Sequence, residues 1–511
     1  MKRDGENISL WQATAPAFDP ESRIEKDVVD VIIVGGGITG ISTGLLLQRT
    51  GKSVMIAEAK NIGFGTTGGT TAHLNSFTET PFNEIIQKFG EENAKLAAKG
   101  LRQALEFIKN NVQTYNIDCG YKELSGYLYA RDEKETKELE KILEGCQRAG
   151  VDVDYCSTSP VNIPFEKVIE FRRQGQIHPT RYIHALANEF KKAGGVLMED
   201  CRVTGVDESE ILSVETNRGT LKARNLIYAT HIPPGVNILH FRCAPYRSYV
   251  IAAKLKHDKD YTDALAYDMD DPYRYYRTQE VDGEKYFIAG GEDHKTGHEE
   301  NTEACFTKLE AYVRNYYDID KIVYRWSSQY FDPADGLPYI GHLPGHTSNM
   351  FVATGYGGIG ITQSSLAAMI LTDLITSGES EYQKLYHPGR VKPVAGFSNF
   401  VKEAADVVEH FIGDKLTREK IGSLVELARG EAKVVKYEGH VLALYKDEEG
   451  HLHAVNSACT HIKCTVGWNA TEKSWDCPCH GSRFSYDGEL LTAPARKDLE
   501  VINLEELVAE D

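Results

Sequence analysis

Val28-Val-Asp-Val-Ile-Ile-Val34 runs directly into Gly35-Gly-Gly-Ile-Thr-Gly40 and then into Ile41 to Thr50. The first run, rich in Val and Ile and closed by glycine, predicts a buried strand, and the last predicts a helix. Gly35, Gly37 and Gly40 fit G-x-G-x-x-G: the first permits a tight turn, the second lets a pyrophosphate approach the backbone, and the third lets helix and strand pack closely. The helix start, Ile38 and Thr39, then offers free amides to a diphosphate. A second strand, Ser53 to Ala57, ends at Glu58, placed to hold the ribose hydroxyls of an adenosine. This order predicts an α/β Rossmann-type nucleotide domain, and the fingerprint leaves NAD and FAD open.

The 511 residues suffice for two or three domains. The net charge of −18 argues against non-specific nucleic-acid binding, which needs a basic face. It is spread along the chain, with −5 from Lys415 onward and −13 before it. Lys2-Arg3 is followed by no apolar core, and no run of 18 apolar residues occurs, so no secretory signal or membrane span is expected and the cytoplasm is the expected location. Of ten cysteines, Cys119, Cys146, Cys156, Cys201, Cys243 and Cys305 are scattered and read as reduced buried thiols.

Several further stretches extend the reading. Gly63-Phe-Gly-Thr-Thr-Gly-Gly-Thr-Thr-Ala-His-Leu74 is a small, hydroxyl-rich loop soon after the acid; Gly195 to Val206 reads as a strand pair, and Leu226-Ile-Tyr-Ala-Thr230 as a strand. With Asp335-Gly-Leu-Pro-Tyr-Ile-Gly341 and Val352 to Thr362, the chain from roughly Asp30 to Gly378 resembles the glycine/D-amino-acid-oxidase-type (DAO) family of FAD-dependent oxidoreductases. The resemblance implies flavin contacts from Gly65, Thr66, Thr67 and Thr71, adenine contact near Val203, a strand return at Thr230, and ring contacts from Gly357, Gly358, Gly360 and Thr362. His73 reads either as a covalent flavin anchor or as a packed loop residue. Relatives that bind flavin through a cysteine place it just before the Asp-Gly-Leu-Pro stretch; Arg325 to Tyr330 contains none, which implies non-covalent FAD.

Gly355, Gly357 and Gly360 also satisfy G-x-G-x-x-G. The expected helix, however, runs into Ser377-Gly-Glu-Ser380 rather than a further strand and acid, so no second βαβ unit for NAD(P)H is completed. These glycines read as a helix N-terminus aimed at the flavin ring.

Segments 80–175 and 240–330 alternate helical and strand-like patterns and predict an α+β substrate domain whose antiparallel sheet roofs the flavin. In Asp271-Pro-Tyr-Arg-Tyr-Tyr-Arg277, alternation would put Tyr273, Tyr275 and Arg277 on one strand face. With Arg247, in the run Ala244 to Ala253, Tyr273 and Arg277 are the candidate substrate-binding residues, since an arginine suits a carboxylate. A solvated sheet edge or a domain contact accounts for them equally well. His178 reads as a base or as a helix-start residue.

Near the C-terminus, Cys459-Thr-His-Ile-Lys-Cys464 and Cys477-Pro-Cys-His-Gly-Ser482 each supply one Cys and one His. Cys459, His461, Cys477 and His480 suit a two-iron cluster with two thiolates on one iron and two imidazoles on the other. A structural zinc is the alternative, although zinc sites more often pair Cys with Cys and His with His. The two segments resemble the cluster loops of Rieske 2Fe-2S proteins. That resemblance implies a disulfide between Cys464 and Cys479, a covering loop at Pro494, and a sulfide hydrogen bond from Ser482. Where such proteins carry a tyrosine, this chain has Phe484, which predicts a potential below the high end of the range of roughly −150 to +300 mV. Short strand-like runs, Ala432 to Tyr437, His440 to Tyr445 and His451 to Val455, predict a small all-β domain.

The expected organisation is therefore an oxidoreductase unit at 1–390, with nucleotide segments near 28–78, 176–236 and 331–378. A linker helix follows at 391–414, with apolar residues at helical spacing over Pro393 to Ile412, and a Rieske domain occupies 415–511. The family resemblance implies dehydrogenation of the C–H beside an amine, in an amino acid or N-alkylated amine, with electrons leaving singly through the cluster to an external carrier. Two alternatives remain: a reductase or oxygenase-type flavoenzyme fed through the cluster, and a non-catalytic redox sensor.

Overall fold

The computed structural model describes residues 3–20, 27–390, 427–437 and 440–504. The expected linker helix lies outside these residues.

Val29–Val34 is buried along nearly its whole length, as a strand covered on both faces must be. It pairs in parallel with Val54–Ala57 on one side and Gly219–Tyr228 on the other. Met350–Thr354 and Val196–Met198 extend this sheet in parallel, and Tyr339–His342 closes it antiparallel, within eight strands in all among the described residues. The glycine turn follows from sterics. Gly35 has φ +113°, and a Cβ there would lie 2.6 Å from the Ala229 carbonyl oxygen; one on Gly40 would lie 2.0 Å from that of Gly35. The helix Ile38–Arg49 can thus lie close on the sheet, with Gly360–Thr376 also packed on it.

The expected strand pair at Gly195 to Val206 splits. Val196–Met198 joins the parallel sheet beside Val54–Ala57, whereas Val203–Asp207 turns away to pair with Leu212–Thr216.

A second, nine-stranded sheet is mainly antiparallel and includes Ile319–Pro333, Cys243–Leu255, Glu284–Lys295, Tyr275–Val281, Lys122–Ala130 and Lys167–Gln176. His73–Leu74 pairs with Gly175 and Gln176 at its far edge, so the 28–78 segment ends inside this sheet rather than in the nucleotide unit. Tyr273 precedes the strand Tyr275–Val281, which corrects the expectation that it shares a strand face with Tyr275 and Arg277; its ring nevertheless lies 5.7 Å from that of Tyr275.

The C-terminal unit is all-β. Ala432–Tyr437, His440–Lys446 and Leu452–Asn456 form one sheet, and Gly467–Asn469, Ser474–Asp476, Arg483–Ser485 and Leu490–Thr492 another. It is fastened to the rest by charge. Arg3, Asp4, Arg247, Glu472, Asp476 and Arg483 are all almost completely buried at the junction. Glu472 lies 3.4 Å from Arg3 Nη1 and 3.5 Å from Arg247 Nη2, while Arg483 pairs with Asp476 at 3.0 Å and with Asp4 at 3.3 Å. Three positive and three negative groups compensate one another where water is excluded, the condition under which buried charges are tolerated. Among the described residues no helix is long and apolar enough to cross a membrane.

Candidate active site and metal centre

A single cavity of about 960 Å³ runs along the C-terminal end of the parallel sheet and under the second sheet. At one end Glu58 Oε2 accepts from the Gly36 amide at 2.6 Å and Oε1 from the Lys60 amide at 2.9 Å, which fixes the carboxylate at the end of its strand. At the helix start, Thr67 Oγ1 accepts from the Ile38 amide at 3.1 Å. Gly35, Gly37, Ile38, Thr39, Glu58, Gly65, Thr66, Thr67, Thr71, Val203, Thr230, Gly357, Gly358 and Gly360 all line this space. Gly40 and Thr362 do not: Gly40 packs against Gly35, and Thr362 is buried, with its hydroxyl accepting from the Asn75 amide. The buried Ser328 hydroxyl also lines the cavity and has no protein partner. Glycine turn, acid, hydroxyl loop and this free hydroxyl suit an extended dinucleotide such as FAD.

His73 lines the cavity too. Its Nδ1 lies 3.1 Å from Thr71 Oγ1, and its ring packs near Tyr267 and Tyr275. Burial, reinforced by Arg277, pushes its pKa down to about 3 and keeps it neutral. His178 lies outside the cavity lining and caps the helix Pro179–Lys192, with Nδ1 accepting from the Arg181 amide at 3.2 Å.

The expected arginines are not on the cavity wall. Arg247 is fully buried in the junction cluster, donating through Nε to Ser327 Oγ at 2.7 Å. Arg277 donates to Gln279 Oε1 at 2.8 Å and to the Ile177 carbonyl at 3.1 Å, beneath the Trp11 ring. Arg247 is held by the neighbouring strand and Arg277 by its own strand, Ile177 and Trp11, so neither lines the cavity. Tyr273 and Tyr275 do line the wall.

Two carboxylates not anticipated from the sequence stand beside these tyrosines. Glu79 Oε2 accepts from the Gly358 amide at 2.6 Å and also from the Tyr273 hydroxyl. A carboxylate therefore already engages the helix end that the sequence aims at the flavin ring. Asp293 accepts from Tyr330 at 2.9 Å and from Ser248, whose hydroxyl also contacts that of Tyr275 at 2.8 Å. Burial pushes the Asp293 carboxyl up to about 7, against the pull of Ser248 and Tyr330, and Glu79 adds to the rise. Loss of surrounding water within the cavity raises Glu79 as well, although its side chain stays open to that space. Neither acid belongs to a motif or a periodic pattern, so no sequence signal marks them.

In the C-terminal unit two tight loops present Cys459, His461, Cys477 and His480. The Cys477 amide donates to the Ser482 carbonyl at 2.8 Å and that of Gly481 to the Cys477 carbonyl at 3.0 Å; the first loop closes through Lys463 to Cys459 at 2.9 Å. Cys459 and Cys477 are buried free thiols that hydrogen-bond each other, and Ser482 bonds Cys459. The ring centroids of His461 and His480 are 5.1 Å apart. Nδ1 of His461 and both ring nitrogens of His480 are buried without partners. Two facing thiols and two imidazoles, each with an orphaned ring nitrogen, fit the two-plus-two donor set of a Rieske cluster. Cys464 and Cys479 form a disulfide linking the loops. Cys477 lies close to both of these sulfurs, but oxidised sulfur is not a thiolate donor, so that trio is not a ligand set.

The imidazoles face the other unit. His461 Nε2 is 3.1 Å from the Gly235 carbonyl, and His240 packs its ring 4.8 Å from His461 and 5.8 Å from His480, with Phe241 beside His480. Leu490 to Ala493, Ala495 and Arg496 help to line the large cavity itself.

The model of the family FAD dependent oxidoreductase (DAO) matches residues 30–374, and that of the Rieske 2Fe-2S domain matches 418–503. YhfW of Bacillus subtilis (strain 168), named for a Rieske 2Fe-2S iron-sulfur protein, is 33% identical over 97% of this chain and 98% of its own. Gamma-glutamylputrescine oxidoreductase of Escherichia coli (strain K12) is 25% identical over 73% of this chain and 89% of its own. Glycine oxidase from Geobacillus kaustophilus shares the fold over 72% of this chain and 100% of its own, with a TM-score of 0.60 at 18% identity.

Proposed function

Since the chain belongs to the FAD dependent oxidoreductase family and also carries a Rieske 2Fe-2S domain, we propose that this oxidoreductase dehydrogenates the C–H beside an amine and delivers the electrons singly to an external carrier. FAD supplies a two-electron acceptor, and the cluster a one-electron relay. The observation that carries the reading is the shared wall: the strand Leu490–Thr492 and the turn after it, through Arg496, border the cavity, and the cluster-ligand histidines abut Gly235 and His240. An amine substrate is further supported by the relative named for gamma-glutamylputrescine.

In this reading Gly35, Gly37, Ile38 and Thr67 hold the diphosphate, Glu58 the ribose, and the Gly357-Gly358 turn the ring. Cys459, Cys477, His461 and His480 hold the cluster. Tyr273, Tyr275 and Tyr330 exclude water from the reacting face, and Asp293 is placed to take the proton that an ammonium must lose before its neighbouring carbon can release hydride. The amine loses two electrons and two protons to become an imine, water hydrolyses the imine to a carbonyl compound and a free amine, and two equivalents of carrier are reduced.

The test is an anaerobic titration of holoenzyme with amines, amino acids, NADH and NADPH in turn. Bleaching of flavin and then of the cluster by an amine compound is expected; bleaching by NADH or NADPH would overturn the assignment.

A further inference from the structure

The charge on the cavity wall is lopsided. Around the end lined by Gly357 and Gly358 the wall carries Glu79 and Asp293, and farther out Glu138, Asp268, Asp270 and Asp271. The lining arginines among the described residues are Arg202 and Arg496, and both sit against the Rieske unit, apart from Glu79 and Asp293; the acids Asp4, Glu58 and Glu84 line the wall as well. Arg202 bonds the Leu490 carbonyl at 3.2 Å and Asp498 at 2.7 Å; Arg496 bonds the Pro234 carbonyl at 3.1 Å. The two arginines expected to grip a carboxylate are withdrawn, Arg247 into the junction and Arg277 beneath Trp11.

Glu79 and Asp293 differ from Asp268 and Asp270 in what touches them. Asp270 is paired with Arg131 and Arg274, and Asp268 lies 3.6 Å from Arg274. The groups on Glu79 are the Gly358 amide and the Tyr273 hydroxyl; those on Asp293 are the hydroxyls of Ser248 and Tyr330. More than a third of Glu79 remains accessible, and it lines the cavity. Tyr273, Tyr275 and Tyr330 frame the pair with aromatic rings, whose faces attract cations. A free amino acid would bring its carboxylate into this field with no arginine to receive it, a like-charge placement that is strongly disfavoured. A cationic amine meets two acceptors and aromatic walls.

We infer that the substrate is an alkylamine bearing no carboxylate on the carbon that loses hydride, and that Glu79 and Asp293 are the residues that select its ammonium group. The inference rests on the amine-dehydrogenase reading above and narrows its substrate class.

Holoenzyme is first titrated with two ions that cannot react, tetramethylammonium and acetate, and the flavin absorbance is followed. Tetramethylammonium should perturb the spectrum and acetate should not. In E79Q and in D293N the tetramethylammonium dissociation constant should rise about tenfold or more, in line with the loss of a negative charge facing the cation. Retained flavin and cluster absorbance reports that each variant is folded, and the two variants check one another. Anaerobic mixing with butylamine, butane-1,4-diamine and glycine then separates the two levels of the argument. Flavin reduction by the amines but not by glycine is expected. Reduction by glycine alone, or by all three equally well, would overturn the inference and leave amine dehydrogenation standing. Reduction by none would overturn both, and unaltered tetramethylammonium binding in both variants would overturn the role given to Glu79 and Asp293.

Discussion

The side-chain amide of Gln329 donates to the Gly481 carbonyl at 2.9 Å, while the main-chain carbonyl of the same residue accepts from the Thr66 hydroxyl at 2.8 Å. One residue thus touches both the loop bordering the cavity and the loop that carries Cys477 and His480. Gln329→Leu removes the donor and leaves the Gly481 carbonyl buried without it, at a cost of about 1–3 kcal/mol. We expect a lower midpoint for loss of cluster absorbance on heating than for wild type, and slower electron transfer from reduced flavin to cluster in rapid-mixing experiments.

Glu472 faces Arg3 and Arg247 from the Rieske side of the junction. Burial pushes its carboxyl up, but the arginines outweigh burial and hold it below the ordinary range; Asp4 and Asp476 behave in the same way. Groups with depressed values contribute stability that is present above the unfolded carboxylate range and lost as pH falls through the lower folded values. The junction should therefore weaken below about pH 4. Glu472→Gln leaves two arginines under-compensated and should cost about 3–5 kcal/mol, measured by denaturant unfolding at neutral pH.

Phe484 is fully buried in the core that contains Cys459, Cys477 and Trp475. Its ring brings no hydroxyl to the cluster, whereas the Ser482 hydroxyl is beside Cys459 and accepts from the Ala495 amide at 3.0 Å. Phe484→Tyr adds a donor that stabilises the reduced cluster. A redox titration should show a higher midpoint potential, and an unchanged or lower one would count against this account.

Asp293, with its carboxyl pushed up to about 7, is neutral below that pH and anionic above it. Glu79, Glu292 and the hydroxyls of Ser248, Tyr275 and Tyr330 surround it. Capture of an ammonium group and acceptance of its proton both need the anion, so kcat/KM for an amine should rise with pH through about 7. In Asp293→Asn that limb should flatten, and a profile identical to wild type would remove Asp293 from the reaction.

The nucleotide fold and the two Cys/His loops of the Rieske domain were legible because short-range chemistry writes them locally. Gly35, Gly37 and Gly40 answer to sterics within one turn, and Cys459, His461, Cys477 and His480 to the spacing of two tight loops. The same local logic could not place Arg247 or Arg277. Each lies on a strand whose alternation says only which residues share a face, and tertiary packing decided that one meets Glu472 and the other Trp11. Glu79 and Asp293 lie more than 200 positions apart in the chain. They line one cavity only because the loop after His73–Leu74 and the strand Glu284–Lys295 converge beside the helix that begins at Gly360. The cofactors were thus determined by the sequence alone, through local backbone geometry and ligand type. The charge of the substrate wall and the contact between cluster and cavity were decided by tertiary structure, because burial and the pairing of charges depend on residues far apart in the chain.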